Sequence, residues 1–381
     1  MKPNFFRKTI IYVVFLSLVT MTHITHAINI STCSNLNETG ATYYLTADII
    51  NSSTSYCINI SANNVTLDCQ GHTIDGDNVA DYGIYIKRSV AQTTNITIKN
   101  CVVTDWDTIG VYLNRADKNI LTDITLTNPD YNLELIYSDS NNLFNIEANS
   151  GTYGIYLSQS DSNSLINISA SLNNYGVYLS TSDSNNLTNI TANSNVDGVY
   201  LSESDSNILK NITANSNTGW GLGMYKSNLN KLVNVTLINS TEFDVYYSTT
   251  RTDNDCNNEF TNVIGTDNKP IVFFNDSVNI QNWNNNVSEI ILCHADNSII
   301  NNLTMNRTGI ENNGLIIVAT QNTTISNSKF IDLEYGIYLH GSGSNIISNC
   351  TVNSNTYGCL LYTSDAADEG LGVDLGGRRI I

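Results

Sequence analysis

The sequence predicts an all-β protein built as a parallel β-helix, a solenoid with about 22 residues per coil. The first observation is a repeat, since the string GVYL at 176–179 returns at 198–201. The second is that aliphatic residues recur at this spacing in four separate columns. The third is that no stretch of similar length has the periodicity of a helix. Leucine-rich and helical repeats are the alternatives, and both lack their required spacing here.

The aliphatic columns predict the inward face of the coils, and a fifth column between the first two predicts an outward, amphipathic face. Val111, Leu133, Ile155, Val177 and Val199 form the first column, and Leu113, Leu135, Leu157, Leu179 and Leu201 the second. Leu121, Leu143, Leu165, Leu187 and Leu209 form the third, and Ile124, Ile146, Ile168, Ile190 and Ile212 the fourth. The outward column contains Tyr112, Glu134, Tyr156, Tyr178 and Tyr200.

The polar segments between strands predict corners of the solenoid. Asn side chains tolerate left-handed turn conformations and can form hydrogen bonds from coil to coil, so we interpret one Asn column as structural. Its members are Asn119, Asn141, Asn163, Asn185 and Asn207. After Asn215 the register shifts by one residue, because Ile212 corresponds to Val235. This shift predicts a bulged corner near residues 218–220.

The two ends differ from the repeats. Lys2, Arg7 and Lys8 precede an apolar run at 10–19, which predicts a secretory signal peptide. A transmembrane helix is the alternative, but the run is shorter than the roughly 20 residues that a span needs.

Residues 359–381 resemble translated sequencing adapter. We therefore expect a chain that is truncated together with any surface anchor. The expected organisation is a signal peptide at 1–27, an N-terminal cap and first coil at 28–62, repeats at 63–247, irregular coils or an insertion at 248–295, repeats at 296–358 and a non-native tail at 359–381.

Composition narrows the classes of partner. The chain has 17 Lys and Arg against 35 Asp and Glu, a net charge of −18. Such a chain cannot neutralise a phosphate backbone, so we expect no nucleic-acid partner. In an exported protein some cysteines should pair, and we predict a disulfide between Cys33 and Cys57 in the non-repetitive cap. Cys69, Cys101 and Cys350 lie beside repeat strands and are interpreted as small buried hydrophobic residues.

Several segments carry a family resemblance. The string NNVTLDCQGHTIDG at 63–76, with YGIYI, NITIKNC and YGIYLHGSGSNIISNCTV further on, resembles the NosD-like repeat proteins of the carbohydrate-binding-and-sugar-hydrolase type. The resemblance covers most of residues 40–358. It implies a single-stranded right-handed parallel β-helix, a secreted or cell-surface location and a polysaccharide or cell-envelope glycan as partner. The family name also suggests copper, but His72, His294 and His340 are far apart in sequence and no cluster of copper ligands occurs, so we expect no copper cofactor.

Two side-chain columns are candidate sites. Tyr156, Tyr178 and Tyr200 predict an outward aromatic stripe suited to sugar rings, and the alternative is cross-strand stacking that stabilises the sheet. Asp139, Asp161, Asp183 and Asp205 predict a ladder of carboxylates that could bind calcium, and the alternative is a row of solvated corners. Equal acids in a row offer no difference in pKa between an acid and a base, so no catalytic residue is predicted.

Two functional hypotheses follow. The first is an exported, non-catalytic β-helix protein that binds glycans or the cell envelope. The second is a polysaccharide-processing lyase, hydrolase or epimerase, with its site in residues 248–295 or beyond the recorded end. Pectinase-like hydrolases carry an Asp-Asp pair and an Arg-x-Lys, and both are missing here.

Overall fold

The computed structural model describes residues 26–87, 93–128, 130–249, 256–307 and 312–362. These residues form a parallel β-solenoid of about 14 turns, so the predicted parallel β-helix is confirmed. Most of the predicted signal peptide lies outside the described residues. Residues 359–362 end the strand Tyr357–Tyr362, and the rest of the segment interpreted as non-native also lies outside them. No helix in the described ranges is long and apolar enough to cross a membrane.

One wall of the solenoid is a sheet of ten parallel strands, called here the ten-strand sheet. Each strand pairs with the equivalent strand of the next coil, as Tyr156 pairs with Tyr178 and Tyr178 with Tyr200. The strands are Ser34–Leu36, Tyr56–Ile60, Tyr82–Lys87, Ile109–Asn114, Tyr131–Ile136, Tyr153–Ser158, Tyr175–Ser180, Asp197–Ser202, Trp220–Tyr225 and Phe243–Ser248.

The facing wall is an eighteen-stranded sheet, called here the long sheet. Its strands are Ala27–Ile30, Thr42–Leu45, Ile49–Ser52, Thr66–Asp68, Thr73–Gly76, Thr97–Thr104, Ile120–Thr127, Asn142–Asn149, Ser164–Ser169, Asn186–Thr191, Ile208–Thr213, Lys231–Thr236, Glu259–Gly265, Lys269–Phe274, Glu289–Cys293, Leu315–Val318, Tyr335–His340 and Tyr357–Tyr362. Smaller sheets contain Thr93–Thr94 and Ala116–Asp117; Asn279–Gln281, Ile299–Asn301, Thr324–Ser326 and Ile346–Ser348; and Thr304–Asn306, Lys329–Ile331 and Thr351–Asn353.

The predicted aliphatic columns form the core between these walls. Leu165, Leu187 and Leu209 are fully buried and pair in register, so each coil covers the apolar residues of its neighbour. The predicted shift of one residue is confirmed, because Ile212 pairs with Val235.

The Asn column lines the inside of a corner. Asn163 is 1% exposed, and its Oδ1 accepts the backbone N–H of Asn141 at 2.8 Å; the backbone N–H of Asn163 donates in turn to Asn185 Oδ1 at 2.8 Å. These amides therefore satisfy the backbone where the strands do not pair. The left-handed conformation belongs to the residue before each Asn, as at Ser162 (φ 58°) and Ser184 (φ 58°).

The regular stacking changes after the strand Phe243–Ser248, the last of the ten-strand sheet. The strand Glu259–Gly265 is followed by a 3₁₀ turn at Thr266–Asn268 and then pairs antiparallel with Lys269–Phe274. From there the long sheet continues in parallel through Glu289–Cys293. The first hydrophobic cluster continues past this change of direction to Ala319, and the second contains residues from Ile280 to Leu339.

Three disulfides join neighbouring coils. Cys33, expected from the sequence to pair with Cys57, lies 2.09 Å from it, sulfur to sulfur. The interpretation of Cys69 and Cys101 as unpaired hydrophobic residues is wrong, because they form a second disulfide. A third, Cys256–Cys293, lies near the change of direction and was not predicted. Among the described cysteines, Cys350 and Cys359 are free.

Candidate functional site: the aromatic face

The outer surface of the ten-strand sheet is the candidate site. In the strand Tyr153–Ser158 the first, fourth and sixth residues are partly exposed, whereas the others are buried. Gly154 and Ile155 are two successive buried residues. The backbone at Gly154 lies so close to the next coil that a Cβ there would be 2.5 Å from the carbonyl oxygen of Gly176, so only glycine fits. The result is two outward columns of rings per sheet, where the sequence predicted one.

We call these two columns the aromatic face. The first column contains Tyr56, Tyr82, Ile109, Tyr131, Tyr153, Tyr175, Asp197, Trp220 and Phe243. The second contains Asn59, Tyr85, Tyr112, Glu134, Tyr156, Tyr178, Tyr200, Gly223 and Tyr246. The candidate glycan-binding residues Tyr156, Tyr178 and Tyr200 are consecutive members of the second column.

Rings of successive coils pack on one another. In the first column the Tyr131 and Tyr153 centroids are 4.6 Å apart with planes 10° from parallel, and Tyr153 and Tyr175 are 5.2 Å apart at 10°. In the second column Tyr178 lies 5.2 Å from Tyr156 and 4.9 Å from Tyr200. Most ring faces are therefore covered by neighbouring rings, and the surface presents mainly ring edges and hydroxyl groups. Both roles predicted for the column, stacking and glycan contact, are compatible with this geometry.

The column of rings is interrupted at Glu134. Its strand lies between those of Tyr112 and Tyr156. The first column is interrupted one coil earlier, where Ile109 pairs with Tyr131. Glu134 is only 7% exposed. Burial raises the pKa of its carboxyl to about 7, with a further contribution from the nearby charge of Asp130. The sequence reasoning found Glu134 in the tyrosine column without recognising its burial; its position as the one acid in that column was the available signal.

Polar groups next to Glu134 are also buried. Asn114 Nδ2 donates to the hydroxyl oxygen of Tyr112 at 2.6 Å, while the buried Asn114 Oδ1 has no hydrogen-bond partner in the described chain. The pKa of Tyr112 is raised, chiefly by burial and further by the charge of Glu134. The Arg115 guanidinium lies over the Tyr137 ring, 5.1 Å from its centroid.

The Asp column forms a hydrogen-bonded ladder along another corner. Asp139 Oδ1 accepts the backbone N–H of Asp161 at 2.8 Å, Asp161 Oδ1 that of Asp183 at 2.7 Å, and Asp183 Oδ1 that of Asp205 at 2.7 Å. One oxygen of each of these carboxylates is thus engaged by the backbone. Burial is the main cause of a raised pKa at Asp139. Calcium binding by this ladder stays a prediction.

The histidines do not come together. His72 Nδ1 lies 2.9 Å from Asp48 Oδ1, whereas His294 and His340 belong to coils far along the chain. Over the described ranges no group of three or more His, Cys, Asp or Glu side chains is placed to hold a metal ion. The residues in this part of the chain therefore do not fit a copper centre.

A second group of acids lies at the change of direction. We call it the junction cluster, and it contains Asp244, Glu289 and Arg307 with Ser288 and Asn312. Asp244 Oδ2 accepts hydrogen bonds from Ser288 Oγ and Asn312 Nδ2, and Arg307 Nη2 donates to the carbonyl oxygen of Ser288 at 2.8 Å. Burial raises the pKa of Asp244, and burial together with Asp244 raises that of Glu289 well above its usual value.

The junction cluster is sealed from solvent. Glu289 is fully buried, Asp244 is 1% exposed and Arg307 is 3% exposed. Neither carboxylate oxygen of Glu289 has a hydrogen-bond partner in the described residues, although the backbone near Asn313 lowers its pKa somewhat. Because a polysaccharide cannot reach groups this deeply buried, the cluster is a poor candidate for the catalytic site that the sequence placed in residues 248–295.

Solved structures with a similar chain path align with this chain at low identity. The A-module of mannuronan C-5 epimerase AlgE4 from Azotobacter vinelandii aligns over 89% of this chain and 87% of its own, with 13% identity and a TM-score of 0.46. DFA-IIIase from Arthrobacter chlorophenolicus A6 in complex with GF2 aligns over 86% and 89%, with 10% identity and a TM-score of 0.42. The enzymatically active domain of bacteriophage CBA120 tailspike protein 2 aligns over 69% of this chain and 44% of its own, with 14% identity and a TM-score of 0.45.

Sequence comparison gives a firmer result. No protein of curated function matches the chain significantly. The profile of the family described as periplasmic copper-binding protein (NosD) matches residues 94–292 and 273–368, which together span most of the 381 residues. A match of this length, on a chain that folds as a parallel β-solenoid, shows that the protein belongs to the NosD family.

Proposed function

We propose that this protein is an extracytoplasmic, non-catalytic β-helix that binds polysaccharide or cell-envelope glycans through its aromatic face. The observation that carries the proposal is the double column of tyrosines along the ten-strand sheet. Rings with hydroxyl groups at their outer edges offer both apolar contact and hydrogen bonds, which is the combination that sugar rings require. The periplasmic character of the family supports a location outside the cytoplasm.

The regular spacing favours a polymer over a single sugar. Strands of successive coils are about 4.8 Å apart, so equivalent hydroxyl groups recur at that distance along the solenoid. Ser158, Ser180 and Ser202 form a third outward column beside the tyrosines. A linear glycan lying along this surface would meet the same set of groups at each coil, and weak contacts would add over its length.

The test is retention of the protein on neutral and acidic polysaccharides, measured by affinity electrophoresis. The variant Tyr156→Ser/Tyr178→Ser/Tyr200→Ser removes three rings from the second column and should lose retention. The matched control is Phe144→Ser/Ile166→Ser, which removes two paired apolar residues from the outside of the long sheet in neighbouring coils. Equal retention of both variants, with unchanged melting temperatures, would rule out the aromatic face as the binding surface.

A polysaccharide-processing activity is the second candidate, and Glu134 is the observation that favours it. A carboxyl group with a pKa near 7 is suited to act as a general acid or base at neutral pH. The same polysaccharides should be assayed for new reducing or unsaturated ends. Cleavage that is lost in Glu134→Gln would replace the binding proposal with this one, whereas binding without cleavage would remove it.

A further inference from the structure

The interruption of the aromatic face at Glu134 is a distinct local site. Tyr112 and Tyr156 belong to strands two coils apart, which places their strands about 9.6 Å from one another. Rings pack continuously on either side, with Tyr85 5.5 Å from Tyr112 and Tyr131 5.7 Å from Tyr156. In the described chain no ring pair connects Tyr112 with Tyr131 or Tyr156. We call this interruption, with Glu134 between the two groups of rings, the Glu134 gap.

The carboxylate in the Glu134 gap lacks a compensating partner. No lysine or arginine forms an ion pair with it in the described residues, and no hydrogen bond from them offsets its burial. The Arg115 guanidinium lies over the Tyr137 ring and lowers the pKa of Tyr112. The remaining titratable groups around Glu134 are acids or phenols, so none of them supplies positive charge. The acids are Asp107 and Asp130, and the phenols are Tyr82, Tyr112, Tyr131 and Tyr156.

A buried carboxyl in such surroundings gains stability from a proton or from a cation. Among the described residues Tyr112 packs only on rings of the preceding coil, so no ring covers it on the side of Glu134. An electron-rich ring face there attracts positive charge. A hard metal ion is less suited, since calcium needs six to eight oxygen ligands and the gap offers one carboxylate and phenol groups. An ammonium group needs only one carboxylate and ring faces.

We propose that the Glu134 gap binds the ammonium group of a cationic ligand, such as the amino group of an unacetylated amino sugar in a glycan. The inference rests on the proposed function, because the glycan part of the ligand would lie on the aromatic face. Net charge supports it, since a chain with a formal charge of −18 attracts cationic ligands and repels uronic acids.

The first experiment uses choline as the probe, because its quaternary ammonium keeps its charge at every pH. Binding is measured by calorimetry against 3,3-dimethyl-1-butanol, a neutral molecule of the same shape. At pH 8.5 we expect choline to bind at least about tenfold more tightly than the neutral alcohol, since a charge contact of this kind supplies roughly 1.4 kcal/mol. Binding of choline should weaken as the pH falls below about 7, because a proton then occupies the carboxylate.

Two variants of the same residue separate charge from shape. Glu134→Gln keeps the size of the side chain and should remove the preference for choline. Glu134→Tyr makes the second column continuous and should remove this preference too. Equal affinity of the wild type for choline and for the neutral alcohol, or an unchanged preference in Glu134→Gln, overturns the inference.

The second experiment compares glucosamine oligomers with N-acetylglucosamine oligomers at pH 7. We expect the wild-type protein to prefer the glucosamine oligomer and Glu134→Gln to bind both equally. If the wild type binds both equally, the ammonium site is wrong and the glycan proposal stands. If it binds choline but neither oligomer nor any polysaccharide, the glycan proposal fails and the ammonium site stands.

Discussion

The regular coils and the junction cluster bury polar groups in different ways. In the regular coils, the bond made by Asn163 to one neighbour is repeated 22 residues later by Asn185. At the junction cluster, the carboxylate of Asp244 bonds to three different residue types, Thr266, Ser288 and Asn312. Because the coils repeat, a hydrogen bond that satisfies a buried polar group in one coil recurs in the next. Where the chain changes direction each group needs its own partner, and among the described residues no side chain donates a hydrogen bond to Glu289.

The largest expected effect comes from removing the cation of the junction cluster. Arg307→Leu removes the positive charge that acts on the buried acids Asp244 and Glu289, and it also removes the ion pair to Asp267. Leaving buried acids without a compensating charge costs about 3–5 kcal/mol in free energy of unfolding. Urea denaturation at pH 7 measures the loss. Lys210→Leu, which removes an exposed lysine from a regular coil, is the control and should change stability by less than about 0.5 kcal/mol.

A double-mutant cycle with Asp244→Asn shows whether the charge is the cause. Arg307→Leu should cost clearly less in the Asp244→Asn background, because the acid that Arg307 compensates is then neutral. Costs that simply add would mean that Arg307 acts through packing and its hydrogen bond to Ser288, and that the junction is no different from the regular coils in its electrostatics.

Glu134 lies in a regular coil, but burial raises the pKa of its carboxyl as it does for Glu289 in the junction cluster. Its folded-state pKa of about 7 exceeds the ordinary value of 4.5, so between these pH values the folded protein holds a proton that the unfolded chain releases. Stability from this group is complete below pH 4.5 and is lost as the pH rises through 7. Glu134→Gln has no carboxyl to ionise, so it should not lose stability as the pH rises. We expect it to be more stable than the wild type by up to about 3 kcal/mol at pH 8, with little difference at pH 4.

Thermal melts of the wild type and Glu134→Gln at both pH values check this prediction. Asp161→Asn, at an exposed position of the Asp ladder, provides the comparison and should not gain stability between pH 4 and pH 8 in the same way. A gain from Glu134→Gln that is equal at both pH values would show that the carboxyl is not held neutral by burial.

Much of the regular part could be predicted from the sequence, because residues that contact each other in neighbouring coils recur at a fixed interval. The aliphatic columns, the one-residue shift before Val235 and the outward tyrosines all follow from residues that recur at a fixed interval. The position of the left-handed residue in the corners did not follow. The left-handed residue is Ser162 and not Asn163, since the buried amide must point inward to reach the backbone of the preceding coil.

Contacts that do not repeat could not be predicted. Cys69 and Cys101 are 32 residues apart because the intervening coil is longer than the others, so the spacing rule gave no reason to pair them. Asp244, Glu289 and Arg307 come together through the antiparallel turn after Gly265. The sequence predicts irregular coils or an insertion at 248–295, but it does not show that the chain reverses there. The burial of Glu134 likewise could not be predicted from the spacing of the columns.

The Asn ladder tests the regular coils directly. Asn163 Oδ1 accepts hydrogen bonds from both the backbone N–H and Nδ2 of Asn141. Asn163→Ala leaves a buried backbone N–H without an acceptor, and the expected loss is about 2 kcal/mol in free energy of unfolding. Ser164→Ala, at the next residue but outside the core, is the control. A loss no larger than that of Ser164→Ala would mean that water replaces the missing acceptor and that the ladder contributes little.

The smallest expected effect concerns the rings themselves. Tyr178 packs between Tyr156 and Tyr200, so Tyr178→Leu should lower the free energy of unfolding by about 1 kcal/mol, the usual size of an aromatic pair contribution. Tyr178→Phe keeps both ring contacts and should leave stability nearly unchanged while it weakens any glycan binding that depends on the hydroxyl group. Thermal melts and polysaccharide retention of the two variants separate the two roles of the column. If Tyr178→Leu is as stable as the wild type but loses retention, the rings are present for the ligand; if it is less stable and retains the glycan, they are present for the sheet.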